Sequence, residues 1–425
     1  MKPFLLITAL ITLLAACVTT QDTDAKLLAK AQAVHARVLT LDTHKDISAL
    51  MAKDPPQETE ARRRFRTRFD PSYRGSNQVD FPKMREGGLN CAFFIVYVGQ
   101  GPLTKSGFQG AKRSALAKFD AIDRMCEKFP DDIELALTAD DVERIWKSGK
   151  LVACIGIENG YPMGEDLSLV EEFWKRGARY MGITHNRHSQ LGDSHTPEEP
   201  LHGGLTDLGR KAIEEMNRVG IMVDVSHSSK KTMLEAVAHS KAPVIASHSG
   251  VHALCAHGRN LDDEQLLALK ENGGVVQCVA FRSYVKDYTE RNKAVRALRK
   301  ELGLTGGRRR RGRSEAREDG DFDKKLATFR TRMKGLDAKY PPSSVSDFVD
   351  HIDYAVKRVG IDHVGISSDF DGGGGVDGWD NASETLQVTL ELAHRGYTET
   401  QIAKIWSGNT LRVLRGVEEA ARRLQ

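Results

Sequence analysis

Val38–Ile47 reads VLTLDTHKDI, a short apolar run that stops at His44, leaves one residue, and reaches Asp46. Side chains alternate faces along a strand, so a strand here points His44 and Asp46 the same way. An imidazole and a carboxylate side by side at a strand's end form a two-point claw for a divalent cation. The triplet also arises by chance, and a solvated strand end reads the same. Its meaning depends on how the other apolar runs end.

Working outward from the first run, taken as Val38–Asp42, seven more follow. They are Cys91–Val98, Leu151–Ile157, Tyr180–Thr184, Ile221–Val225, Pro243–Ser247, Gly274–Phe281 and His363–Ser367. Most are continuous and rich in Val and Ile, as strands covered on both faces are. Segments with helical spacing lie between them, including Phe119–Lys128, Leu169–Arg176, Thr206–Val219, Lys230–Ala238 and Asp262–Glu271. Gly177, Gly220 and Gly273 sit where a helix hands over to the next strand. Eight strands alternating with helices predict an α/β fold, a (β/α)8 TIM barrel, with an open doubly wound sheet as the alternative.

Two regions break the repeat. Asp54–Asn77, rich in Pro and Arg, reads as a loop or irregular excursion after strand one. A charged insertion at about 284–342 separates strands seven and eight. It holds the basic run Arg308–Arg313 and then Glu315–Asp323, where five of nine residues are acidic. Helices are expected to flank that centre. Its basic run reads as a solvated segment or as a patch for an anionic envelope surface, and the acidic neighbours weaken the second reading. Thr400–Leu424 reads as an amphipathic helix that closes the barrel.

The 425 residues are 40% hydrophobic and 28% charged, a composition of soluble globular chains with a large core. A net charge of +4 is too small at this length to indicate a nucleic-acid partner, and none is expected. Residues 1–16 have the build of an export signal: Lys2, an apolar stretch from Pro3, then Leu14-Ala15-Ala16-Cys17. That ending resembles the bacterial lipoprotein box, which makes Cys17 the lipidated mature N-terminus and 17–27 a tether. Membrane attachment is then through lipid alone. Val18, not an acidic residue, follows the Cys, which points to the outer membrane facing the periplasm. Residues 28–425 form one domain. Cys91, Cys126, Cys154, Cys255 and Cys278 show no CxxC spacing for structural zinc, and their disulfide pairing is left open.

Chemistry in barrels of this kind sits at the C-terminal ends of the strands. Strand one ends in His44-x-Asp46 and strand three in Glu158-Asn159-Gly160. Strand four ends in His185-Asn186, strand five in Asp224-Val225-Ser226-His227, strand six in Ser247-His248-Ser249 and strand eight in Ser368-Asp369-Phe370-Asp371-Gly372. Six of eight runs therefore stop at His, Asp or Glu, and convergence of six on one rim predicts a metal site. Ser226, Ser247 and Ser249 read as residues that orient ligands. His188, His195, His202, His252 and His257 read as loop or rim residues.

At this point the chain resembles the membrane dipeptidase (renal dipeptidase, peptidase family M19) family of the amidohydrolase superfamily. The similarity runs from about Val38 to Glu418, excluding the charged insertion. It is carried by Asp42–Asp46, Gln78–Pro82, Gly156–Asn159, Leu205–Gly209, Asp224–His227, Pro243–Ser249 and Gly365–Gly372. The resemblance implies a dizinc metallodipeptidase acting on dipeptides, those with a C-terminal D-residue included, through a hydroxide that bridges two metals. It implies His44 and Asp46 on the first zinc, Glu158 bridging both, and His227 with His248 on the second. It implies His185 as a contact to substrate and oxyanion, Arg259 as a contact to the substrate carboxylate, and Asp369 as a substrate-contacting acid/base. Lys45 is expected to face away from the metals. A homodimer is a further partner relatives suggest, though no interface is legible.

These residue types suit that chemistry. Two cations sharing one carboxylate lower the pKa of a shared water, and a preorganised donor such as His185 stabilises the tetrahedral oxyanion. Two alternatives remain on the sequence. Another dinuclear amidohydrolase, of lactonase or deaminase type, would often carry His-x-His on strand one and a carboxylated Lys on strand four, where this chain has His-x-Asp and His185. A non-catalytic envelope lipoprotein that binds peptides would be expected to show broken ligands.

Overall fold

The computed structural model describes residues 25–304 and 320–425. Eight parallel strands follow one another round a ring: β1 (Leu41–Asp46), β2 (Cys91–Val96), β4 (Leu151–Ile157), β5 (Ala178–Gly182), β6 (Met222–Asp224), β7 (Ile245–Ser249), β8 (Val275–Val279) and β9 (Val364–Ser367). The ring closes where the Asp46 amide donates to the Phe370 carbonyl (2.9 Å) and the Ser368 amide donates to Asp42 Oδ1 (2.8 Å). This is the (β/α)8 barrel the sequence predicts, with helices on the outside.

Inside and outside alternate along each strand, as a pleated strand covered on both faces requires. Along β2, Cys91, Phe93 and Ile95 face the barrel interior, while Ala92, Phe94 and Val96 pack beneath the helices. Along β4, Val152 and Cys154 face inward and Ala153, Ile155 and Ile157 outward. Helices Ala139–Lys147 and Asn409–Leu424 plug the floor with Val142, Ile145, Leu411, Leu414 and Val417. The C-terminal segment thus closes the barrel, though as Glu399–Ala403, a π turn at Lys404–Gly408 and Asn409–Leu424 in succession.

Several boundaries differ from the sequence reading. The first strand is Leu41–Asp46, not Val38–Asp42, because a β-bulge between Asp42 and Lys45 carries the pairing on through the polar residues. A ninth strand, β3 (Ile133–Leu135), pairs with β4 off the barrel path; at three residues it is too short for periodicity to reveal. The segment Asp54–Asn77 is not loop throughout but holds the helix Thr59–Phe69, which buries no residue and so leaves no apolar stripe to read. The insertion falls between β8 and β9 as expected. Its helices Thr289–Glu301 and Gly320–Lys339 are joined by Arg291–Asp337 (2.7 Å) and by Arg332–Glu301. Cys17 and Arg308–Arg313 lie outside the described residues. All five described cysteines are free. No helix among the described residues is long and apolar enough to cross a membrane.

Candidate metal centre

The alternation that builds the barrel also aims the site. Continuing the inward parity of β4 past Gly156 brings Glu158 to the rim, facing the interior. Gly156 itself leaves room for the Tyr180 ring, which a Cβ there would meet at 2.1 Å. The bulge in β1 lets His44 and Asp46 turn inward while Lys45 points out, where its ammonium lies over the Phe94 ring (5.4 Å) and pairs with Asp371 Oδ2 (3.1 Å). Lys45 therefore faces away from the metal ligands, as expected.

Three imidazole nitrogens converge on one oxygen. Nε2 of His185, His227 and His248 stand 3.1, 3.2 and 3.8 Å from Glu158 Oε1, and the last two are 2.9 Å from each other. Three overlapping sets have ligand atoms within 4.8 Å of one another: His44 with Glu158 and His248, Glu158 with His185 and His227, and His44 with Asp46 and Asp369. All five residues expected as ligands are thus brought together, with Glu158 common to two of the sets and His44 linking them to Asp46. His185 and Asp369 stand in the same sets, as near as the ligands. Arg259, from the loop after β7, reaches the rim at 2% exposure.

Hydrogen bonding around the site fixes the tautomers. Tyr180 has one hydroxyl proton, donated to the Thr43 carbonyl (3.0 Å), so His44 Nδ1 must donate to the phenol oxygen (3.1 Å). That leaves a lone pair on His44 Nε2, which is buried without a partner. Ser247 Oγ donates to Asp224 Oδ2 (2.7 Å), so His248 Nδ1 donates to Ser247 (2.8 Å) and its Nε2 also presents a lone pair. The Ser226 hydroxyl accepts from the His248 amide (3.0 Å). The Tyr180 phenol on His44 and the Ser247–Asp224 pair on His248 are outer partners of the kind that orient metal-binding histidines. Orphaned lone pairs, clustered acceptors and a buried carboxylate are a donor set that a divalent cation fits.

The electrostatics agree. Burial holds His227 and His248 well below the ordinary imidazole value and His44 down to about 4, so all three are neutral at pH 7. Burial also pushes Glu158 upward, but hydrogen bonds from His185 and His227 outweigh it and keep the carboxylate ionised. Burial, then the Glu158 charge, raises Asp46 to about 7. Burial, then Asp46 and Glu158, raises Asp369 well above the carboxylate range. Asp46 has a folded pKa above its unfolded one, so the stability linked to its proton is lost as pH rises through about 7. A bound cation removes that loss and binds more tightly as the carboxylates ionise. The gap in Tm between metal-loaded and chelated protein should therefore widen by a few degrees from pH 6 to pH 8. Scanning calorimetry on both forms checks this, and a gap that narrows contradicts it.

Sequence reasoning missed several groups. Tyr97 continues the inward parity of β2 and lies 4.9 Å, ring to ring, from His185. Lys118, on helix Lys105–Lys128, approaches Asp46 Oδ1 at 3.7 Å. Tyr284 stands 5.5 Å from the Arg259 guanidinium. Tyr97 lies within the Cys91–Val98 run and was findable from alternation; Lys118 and Tyr284 come from outside the strands and left no such signal. His195 and His257, read as rim residues, border the site, with His195 6.0 Å from His227 and His257 4.5 Å from Tyr284, ring to ring.

A cluster of imidazoles and carboxylates at the C-terminal rim of a (β/α)8 barrel defines a metalloenzyme class. The model of the membrane dipeptidase family (peptidase family M19) matches residues 28–425, and the chain belongs to that family. It is similar to the dipeptidase aclJ of Aspergillus oryzae, 32% identical over 365 residues, covering 85% of this chain and 75% of that one. The crystal structure of the probable dipeptidase PvdM from Pseudomonas aeruginosa superposes with a TM-score of 0.78 at 31% identity, covering 93% of this chain and all of that one. A metallo peptidase from Rhodobacter sphaeroides, solved with a phosphinate mimic of the dipeptide L-Ala-D-Ala, shares the fold at 22% identity and a TM-score of 0.67, over 89% of this chain and 99% of that one. This chain is accordingly a metallodipeptidase. Neither the lactonase-type alternative nor a non-catalytic lipoprotein is favoured, since the β5 end carries His185 and every residue expected as a ligand stands in the cluster.

Proposed function

We propose that the protein is a dizinc exopeptidase that hydrolyses dipeptides, including those with a C-terminal D-residue. The observation that carries this reading is Arg259. Its guanidinium is buried beside the metal-competent cluster, forms no ion pair among the described residues, and has an unpartnered Nε; Nη2 donates to the His248 carbonyl (2.8 Å). A buried guanidinium without a carboxylate suits a ligand that brings one. A free carboxylate that near the scissile bond restricts substrates to short peptides. The Rhodobacter protein's L-Ala-D-Ala mimic supports extending the range to D-residues.

His44, Asp46, Glu158, His227 and His248 would hold two zinc ions. Bound there, they would supply an activated water and polarise the scissile carbonyl. Arg259 orients the peptide by its C-terminus. His185 donates to the oxyanion as it develops. Asp369 accepts a proton from the attacking water and returns it to the leaving amine nitrogen. Assay of L,L-, L,D- and D,D-dipeptides, before and after chelation and with zinc restored, tests the reading. Hydrolysis of none of them by zinc-loaded protein would sink it.

Two further results are expected. Arg259→Met should raise KM about 30- to 100-fold, since a charged hydrogen-bonded contact is removed, with a smaller change in kcat. C-terminally amidated dipeptides should be poor substrates for both proteins; an unchanged KM contradicts the assignment. The leader over residues 1–16, followed directly by Cys17, supports a lipid-anchored enzyme of the bacterial envelope. Cys17→Ser should move it from the membrane fraction to the soluble fraction, and continued membrane retention argues against a lipid anchor.

A further inference from the structure

Beside Asp46 opens a cavity of about 460 Å³ that the metal chemistry leaves unused. Its walls bring Lys45, Asp46, Arg68, Tyr97, Lys118 and Asp371 together. In the order of the barrel, β2 lies four strands from β7, across the ring. Tyr97 follows β2 and Lys118 lies on the helix after it, whereas Arg259 follows β7. A dipeptide whose C-terminal carboxylate meets Arg259, with its scissile bond over the cluster, must direct its N-terminal residue to the Tyr97–Lys118 wall. This step rests on the dipeptidase reading above.

The charges of that wall decide what it accepts. Lys45 is committed to Asp371 at 3.1 Å, and both are lining groups that cancel. Asp46 would be a ligand carboxylate, its charge met by the cation bound there. Lys118 is left: its side chain is 16% exposed, its ammonium lies 5.3 Å from the Tyr97 ring, and its one ion-pair partner among the described residues is Asp46, at 3.7 Å. Arg68 is exposed at the cavity's edge and forms no ion pair among the described residues. A pocket holding Arg68 without an anionic partner, and Lys118 whose Asp46 partner would be shared with a bound cation, suits a negative side chain, and the burial of Lys118 strengthens the selection.

We propose that this cavity seats the side-chain carboxylate of the substrate's N-terminal residue, with Lys118 as the specificity-determining contact. Preferred substrates are then dipeptides that begin with Glu or Asp.

The test compares kcat/KM for Glu-Ala and its neutral isostere Gln-Ala, using the full zinc-loaded protein. The wild type should favour Glu-Ala by on the order of tenfold, the usual size of a charged hydrogen bond. Lys118→Gln should bring the ratio close to one, Lys118→Arg should retain most of it, and Arg68→Gln should reduce it less. A wild-type ratio near one overturns the proposal, as does a ratio that survives in Lys118→Gln while both rates fall together. Hydrolysis of Gln-Ala by the wild type tests the dipeptidase reading separately. If neither peptide is cleaved, that reading fails and takes the proposal with it.

Discussion

Glu158→Gln should empty both positions of the proposed dizinc centre and lower kcat/KM by on the order of 10³ or more. Gln has nearly the same shape, so loss would follow from charge, not from a cavity. Glu158 Oε1 is the point on which His185, His227 and His248 converge, and its ionised form is maintained by two of those imidazoles against a strong burial penalty. A neutral amide cannot balance two cations, and its NH₂ group would repel any metal that approached it. Metal analysis after gel filtration is the direct readout, with circular dichroism to show that the barrel persists. His44→Gln gives the contrast. His44 shares one set with Asp46 and Asp369 and another with Glu158 and His248, so its loss should chiefly deplete the metal on the Asp46 side. Retention of both metals by Glu158→Gln would remove the bridging role.

Strand ends carried most of what the sequence disclosed. A buried parallel strand is a continuous apolar run, and a barrel rim is where that run meets its first polar residue. His44, Glu158, His185, His227, His248 and Asp369 were therefore legible as one site before any coordinates. Gly220 and Gly273 were legible as helix ends because both adopt a left-handed backbone there, at φ of 93° and 82°. What stayed hidden has physical reasons. Helix Thr59–Phe69 buries nothing and so prints no periodicity. Lys118 reaches Asp46 from a helix some seventy positions downstream, by a packing arrangement that spacing cannot encode. The tautomer-setting roles of Tyr180 and Ser247 depend on where each hydroxyl sends its single proton, a matter of geometry rather than residue type.

Asp369→Asn should lower kcat by about 10²–10⁴, the range a positioned acid/base contributes, while the metals stay bound. The choice of Asn follows from the backbone. Asp369 sits at φ 57°, in the left-handed region that Asn tolerates and most side chains do not, so Ala would add strain to loss of the carboxylate. Its carboxylate is also tightly enclosed, for a Cβ on Gly372 would come within 2.2 Å of Asp369 Oδ1 and 2.5 Å of Asp46 Oδ2. Two roles compete for this residue. Its place in the set with His44 and Asp46 would let it serve as a ligand, and its raised pKa, from burial and the neighbouring Asp46 and Glu158 charges, suits a group that exchanges protons. The variant separates them. Full metal content with a collapsed kcat, and loss of one limb from the pH–rate profile, assigns proton transfer. Release of the metal on the Asp46 side, with kcat partly recovered in excess zinc, assigns ligation instead. Because His44, Asp46, Glu158, His227 and His248 already furnish ligand atoms, the first result is the one expected.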